Sequence, residues 1–262
     1  IMDGTTKSEI IGIQSVNAKN YAGGISGKAA AANAAGVLNN TLGIGTMLAF
    51  SAKNIELNGG TNGLTVKATE DYAGGAFGQA IGGAVDNVIL NNVSKVEANN
   101  YAGGFAGDAG TGSLVEGGGL NLLGLIKIDN LLSLAKGVVL NISNSSVTGT
   151  VTGPGTEENT NGLPVSATGS NSDGAVEDFV AGGFIGESKS VVAENCTVNN
   201  LKSVKADNTD GYAGGFTGTS ASGGLADVAK DETGLKGIVS INDLLSAADY
   251  LIPEYNNCHV TY

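Results

Sequence analysis

The sequence predicts an all-β chain wound as a parallel β-solenoid, a right-handed β-helix with about three strands per coil, and three observations predict it. Three short motifs recur in five copies each, always in the same order. Each motif alternates apolar and polar residues over three to five positions, which is the period of a strand and too short for a helix. Between the motifs lie Asn, Gly, Asp and Thr, the residues that turns require. Glycine supplies 43 of 262 residues, more than twice the usual ~7%.

The first motif is the heptad Tyr-Ala-Gly-Gly-x-x-Gly, at Tyr21–Gly27, Tyr72–Gly78, Tyr101–Gly107 and Tyr212–Gly218, with a fifth copy, Val180–Gly186, that replaces Tyr by Val. The second is Val-x-Ala, at Val16/Ala18, Val66/Ala68, Val96/Ala98, Val165/Ala167 and Val204/Ala206. The third opens on Asn and ends on Leu or Val: Asn54 to Leu57, Asn87 to Leu90, Asn144 to Val147, Asn195 to Val198 and Asn257 to Val260. The shortest cycles run 29 residues, Tyr72 to Tyr101, and 32 residues, Val180 to Tyr212. Three strands and three turns fit that length. Like strands then stack in parallel about 4.8 Å apart, and the general hand of parallel crossovers makes the winding right-handed.

Stacking assigns a role to each repeated residue. Asn54, Asn87, Asn144, Asn195 and Asn257 form an amide ladder at one corner, each side chain bonding the next. Tyr72, Tyr101 and Tyr212 form an aromatic row. The paired glycines, among them Gly103 and Gly104, Gly182 and Gly183, Gly214 and Gly215, sit where chain meets chain or where φ is positive. The apolar residues after them, Ile25, Phe105, Phe184 and Phe216, point inward.

The link from each heptad to the next Asn motif alternates in length. From last Gly to Asn it spans 27, 9, 37, 9 and 39 positions (Gly27 to Asn54, Gly78 to Asn87, Gly107 to Asn144, Gly186 to Asn195, Gly218 to Asn257). The long links carry short helical insertions at one corner on alternate coils, near 28–53, 108–143 and 219–256. Two of them share six of 13 positions, Gly124 to Lys136 against Gly237 to Asp249, with Asp129 or Asn242 as helix cap and Leu131, Leu132, Leu244 and Leu245 on the apolar face. A coil rises about 4.8 Å, whereas neighbouring helices need about 8–10 Å, so a corner holds a helix on every second coil. Disordered loops and an apolar patch for a partner are the other readings of these links. The stretch from Gly153 to Glu177, rich in Gly, Asn, Thr and Ser, reads as a surface excursion. The whole of 1–262 reads as one solenoid domain. Both ends fall inside the repeat pattern, so it is expected to belong to a longer chain.

Composition removes several function classes. The 13 basic residues are all Lys, against 25 acidic residues, for a net charge of −12. Nucleic acid and anionic membrane surfaces both need a basic face. The most apolar stretch, Leu120 to Ile142, is broken by Lys127, Asp129 and Lys136 and is no membrane span. Nothing after Ile1 has the form of a signal peptide. Scarce Cys, no Trp and much Gly, Asn and Thr suit a secreted or surface-displayed bacterial protein.

Chemistry-bearing residues are few. The single His259 sits at an outward position and gives neither a zinc site nor a catalytic triad. Cys196 and Cys258 hold the same inward position of successive coils; about 4.8 Å between stacked Cα atoms is compatible with a disulfide, while parallel stacking orients the thiols poorly for one and favours buried free thiols. Glu70/Asp71, Glu157/Glu158, Glu177/Asp178 and Asp231/Glu232 are adjacent acids of the kind found on solvated loops; a glycosidase needs two acids converging on a cleft. Asp207 to Gly211 has the acidic spacing of a calcium loop without its terminal Glu. No cofactor is expected.

Tyr101-Ala-Gly-Gly-Phe105-Ala-Gly107 and Val180-Ala-Gly-Gly-Phe184-Ile-Gly186 resemble the GLUG-type repeats of bacterial surface proteins, which occur in adhesin-like proteins and in the N-terminal regions of immunoglobulin A proteases. The resemblance implies a large secreted or cell-wall-attached protein, from a Gram-positive bacterium, and carries over no catalytic residue. The expected function is a non-catalytic structural or adhesive module, not an enzyme, acting as a rigid stalk or binding face. Its partners would be further solenoid repeats of the same chain and a host surface protein or glycan. The alternative is a carbohydrate-binding or polysaccharide-degrading β-helix domain.

Overall fold

The computed structural model describes residues 6–30, 50–111, 139–151, 161–169, 179–207, 211–222 and 252–262. Among these residues every element is a β-strand, and the strands pair in parallel from coil to coil. The chain is a parallel β-solenoid. The first coil holds β1 (Ser8–Ile13), β2 (Ser15–Ala18), β3 (Tyr21–Gly23) and β4 (Ser26–Ala30). The second holds β5 (Phe50–Gly59), β6 (Leu64–Ala68), β7 (Tyr72–Gly74) and β8 (Phe77–Ile81). The third holds β9 (Gly83–Ala98), β10 (Tyr101–Gly103) and β11 (Ala106–Gly110). The fourth follows with β12 (Leu140–Ser143), β13 (Ser146–Gly149), β14 (Leu163–Ala167), β15 (Val180–Gly182) and β16 (Ile185–Lys189). The fifth has β17 (Val191–Glu194), β18 (Thr197–Asn199), β19 (Leu201–Ala206), β20 (Tyr212–Gly214) and β21 (Thr217–Ala221). A sixth coil begins with β22 (Glu254–Asn256) and β23 (His259–Val260).

Three sheets result. One of 13 strands carries the Asn and Val-x-Ala motifs, and two of five strands carry the two halves of the heptad. The full coils hold four, four, three, five and five strands in turn, spread over the three sheets. The difference lies in how corners are made. In β9 one strand runs for 16 residues while Asn87 and Asn92 turn the chain with φ of 53° and 58°, and its pairing skips Asn87 and shifts register past Asn92. Asn tolerates this left-handed conformation better than other non-Gly residues. A stretch that alternates like a single strand is thus folded around two corners and resumes its pairing after each. The repeated motifs lie in register: Val16, Val66, Val96, Val165 and Val204 pair in succession, as do the heptads.

The insertion boundaries expected near 28–53, 108–143 and 219–256 are too wide. Lys28 to Ala30 belong to β4, Phe50 to Lys53 to β5, Asp108 to Gly110 to β11, Leu140 to Ser143 to β12, Thr219 to Ala221 to β21 and Glu254 to Asn256 to β22. No helix occurs among the described residues. Ala29 and Ala30 are good helix formers, yet they pair with Ala80 and Ile81 of the next coil, and a ladder of fixed partners outweighs intrinsic propensity of a few tenths of a kcal/mol. The leucine-rich cores of the insertions, within 31–49, 112–138 and 223–251, lie outside the described residues. In the coils without insertions the link is direct, through Gly82 (φ 60°) or Ser190 (φ 53°).

The interior is built from columns of like residues. Leu57, Leu90, Val147 and Val198 form one, and Val66, Val96 and Val165 another, all fully buried. The heptad aromatics form a third. Phe105 and Phe184 stack at 4.6 Å and 12°, Phe184 and Phe216 at 4.9 Å and 11°. In the second coil Phe77 sits one position later and meets Phe105 edge-on at 5.8 Å. Ile25 packs on the same core from the first coil. The heptad glycines are there for space. Their φ angles are not positive, but a Cβ on Gly103 would lie 1.8 Å from the Ala106 carbonyl oxygen.

Candidate functional site

The Asn column combines backbone and side-chain roles. Asn54, Asn87, Asn144, Asn195 and Asn257 all have φ between 49° and 53°. Asn87 Nδ2 donates to Asn54 Oδ1 at 2.9 Å, Asn195 to Asn144 at 3.3 Å and Asn257 to Asn195 at 2.7 Å. The ladder changes partner between the third and fourth coils, where Asn144 Nδ2 donates to Asp86 Oδ1 at 2.9 Å and Ser143 Oγ to the same oxygen at 2.8 Å. These two donors, Asn144 first, hold the Asp86 carboxyl below its usual range. Asn92 and Asn200, with φ of 58° and 54°, form a second corner that motif counting did not single out. The doublets Asn91-Asn92 and Asn199-Asn200, at a constant offset after Asn87 and Asn195, were its signal.

The aromatic row starts one coil earlier than expected and ends at Tyr101. Tyr21 stacks on Tyr72 at 5.4 Å and Tyr72 on Tyr101 at 4.9 Å. Val180 stands level with Tyr101 on one side and Tyr212 on the other, so Tyr212 is cut off from the row and is 49% exposed. Cys196 is buried and Cys258 half-buried, both as free thiols. Burial pushes the Cys196 thiol up to about 12 and also raises that of Cys258.

The residue after each heptad proves more consequential than the heptad itself suggested. Lys28, Gln79, Asp108, Glu187 and Thr219 pair in succession down one face. Asp108 is only 6% exposed. Burial pushes its carboxyl up to about 6, helped by the charge of Glu187; the hydrogen bond from Gln79 Nε2 at 2.8 Å, and the charges of Lys189 and Lys28, act in the opposite sense. Burial of its own ring, and then the charge of Asp108, raise the Tyr72 hydroxyl above its usual range. Gln79 Oε1 and Thr219 Oγ1 are buried in this column without a hydrogen-bond partner.

A stability prediction follows from this acid. Between pH about 4 and about 6 the folded state holds a proton that the unfolded state has released, so stability falls as pH rises through that window. Two units correspond to about 3 kcal/mol at neutral pH. Asp108→Asn keeps an oxygen for Gln79 and removes the charge. Thermal unfolding followed from pH 4 to pH 8 is expected to show the variant melting higher than the parent above pH 6, with the gap closing toward pH 4. Equal curves at all pH values would show that Asp108 is not a strained acid. Asp86, and Glu97 held low by Lys67 and Lys95, pull the other way in both proteins and cancel in the comparison.

The remaining polar groups are tied into the wall. Asn20 Nδ2 donates to Asp71 at 2.7 Å and Glu70 at 3.2 Å, and Lys19 pairs with Glu70 at 2.9 Å. The pair Glu70/Asp71 is thus held by the first coil, with Lys19 countering one of its two charges. Lys67 pairs with Glu97 at 2.6 Å and Lys95 also pairs with it. His259 Nε2 is 3.0 Å from Asn257 Oδ1 at the exposed end of the ladder. Glu157/Glu158, Glu177/Asp178, Asp231/Glu232 and the centre of Asp207 to Gly211 lie outside the described residues. Among the described residues no three metal-binding side chains converge, and no helix is long and apolar enough to cross a membrane.

No family model matches the chain, and no curated protein or solved structure matches it. Chemically, what the described site residues do is bind one another: amide to amide, ring to ring and glycine backbone to glycine backbone. The two stacked acids Asp108 and Glu187 are neighbours, but Asp108 is packed in the wall, where a polymer chain has no access to it.

Proposed function

We propose that the chain is a non-catalytic structural or adhesive repeat module of a bacterial cell-surface or secreted protein, serving as a rigid stalk or as the carrier of a binding face. The observation that supports this most is the continuity of the ladders: each motif pairs in register with its counterpart in the next coil, from the first coil to the start of the sixth. Such a body is stiff because each layer is held by backbone hydrogen bonds and by columns of matching side chains. The likeness of the heptads to GLUG-type surface repeats and the strongly acidic, arginine-free composition favour an extracellular setting, with a host surface protein or glycan as partner.

Force spectroscopy with handles at Thr6 and Tyr262, run beside polysaccharide hydrolysis and glycan-array assays, tests the reading. A stalk is expected to extend in stepwise, high-force events and to release no sugar. Low-force extension without steps, or sugar release from any polysaccharide, would overturn it in favour of a carbohydrate-active domain.

A further inference from the structure

We propose that Cys196 and Cys258 form an inter-coil disulfide when the protein meets a low-molecular-weight disulfide, covalently locking the coil of β22 and β23 to the preceding one. This inference is independent of the functional reading. The chain has two cysteines in 262 residues, and the fold places them in one column on adjacent layers. Thr197 pairs with His259 and Val198 with Val260, and His259 N donates to the Cys196 carbonyl at 2.9 Å. Adjacent in-register positions put their Cα atoms about 4.8 Å apart, inside the 4.4–6.8 Å range that disulfides span.

The two side chains adopt the same pose one layer apart, so at least one thiol must change rotamer to reach the other. Cys196 Sγ lies 3.4 Å from the Glu194 oxygen and 3.5 Å from the Ile142 oxygen, and Cys258 Sγ lies 3.5 Å from the Asn256 oxygen and 3.6 Å from the Ala193 oxygen. Each thiol is among the groups that shift the other, so the two interact. Stacked Cβ atoms stand about 4.8 Å apart, just beyond the ~3.5–4.5 Å that disulfides span. Bonding therefore requires the two Cβ atoms to approach and the thiols to turn toward each other.

The chemistry is ordinary exchange. Cys258, the more accessible thiol, attacks one sulfur of the reagent as its thiolate; the reagent S–S bond breaks and one reagent thiol leaves. Cys196 then attacks Cys258 Sγ, releasing the second reagent thiol. Two protein thiols are oxidised, one disulfide is reduced to two thiols, and the protons pass to the leaving thiolates. Buried Cys196 ionises poorly, so the second step is slow and accelerates with pH.

The test incubates the reduced full chain with oxidised glutathione at mildly alkaline pH, then unfolds, alkylates and weighs it. Expected is a monomer lighter by two hydrogen atoms, bearing no alkyl group, whose unfolding midpoint rises by several degrees and returns on reduction. Cys258→Ser and Cys196→Ser should each leave one alkylatable or glutathionylated thiol; Ser fits this column, since Ser145 occupies it one layer below Cys196. Two alkylated thiols in the parent, a persistent glutathione adduct on Cys258, or a disulfide-linked dimer would each overturn the proposal.

Discussion

Gly104→Ala is expected to destabilise the solenoid by about 4 kcal/mol or more, among the largest losses a single methyl group can cause. The added Cβ would sit 2.0 Å from the Gly183 carbonyl oxygen and 3.1 Å from Leu163 Cδ2. Neither neighbour can yield freely. The Gly183 oxygen is backbone, and the spacing of the two coils is set by the bonds from Gly104 N to the Gly182 oxygen at 3.1 Å and from Phe105 N to the Phe184 oxygen at 2.8 Å. Relieving the clash means prising these layers apart and breaking the ladder on either side. Gly110→Ala is the matched control: it lies in the following strand, and its Cβ would meet nothing closer than 3.5 Å. Denaturant unfolding of both variants checks the claim, with the control expected within about 1 kcal/mol of the parent. Equal losses in the two would mean that close approach is not what the heptad glycine provides.

Phe184→Ala is expected to lose about 3–5 kcal/mol. The ring is fully buried and stacked on both faces, by Phe105 and Phe216. Its removal opens a cavity in the middle of the column and also forfeits two aromatic pairs, each worth about 0.5–1.5 kcal/mol beyond burial. The neighbouring coils cannot collapse into the gap, because their separation is fixed by hydrogen bonds. Phe216→Ala should cost less, since that ring is only partly buried and stacks on one face, meeting Tyr255 edge-on on the other. Unfolding free energies measured in parallel decide it. A Phe216 loss equal to or above the Phe184 loss would show that the column is not a stack whose centre carries most of its stability.

How much of this was legible beforehand depends on the distance over which each feature is decided. The repeats are local in sequence, so Val16 to Val204 and the heptads announced both the strands and their stacking. The five Asn residues announced a corner and a ladder; the switch of Asn144 to Asp86 was not legible, because it depends on which acceptor of the layer below comes nearest. The aromatic row failed at Val180 because a single branched residue separates Tyr101 from Tyr212 in space, although the three tyrosines look equivalent in a motif list. The burial of Asp108 is not legible in the sequence, because its neighbours Gln79 and Glu187 are 29 and 79 positions away by number and nothing in a heptad plus one residue reveals burial.

Sequence alone determined that this chain is built of repeated strands, that it winds in layers and which residues share a column, because a strand's period and a solenoid's repeat are both written in local order. The tertiary structure decided how many segments make a coil, since left-handed Asn corners turn the chain within a strand in one layer and between strands in another. It also decided which polar group is strained, since desolvation at Asp108 is imposed by coils far away in the chain.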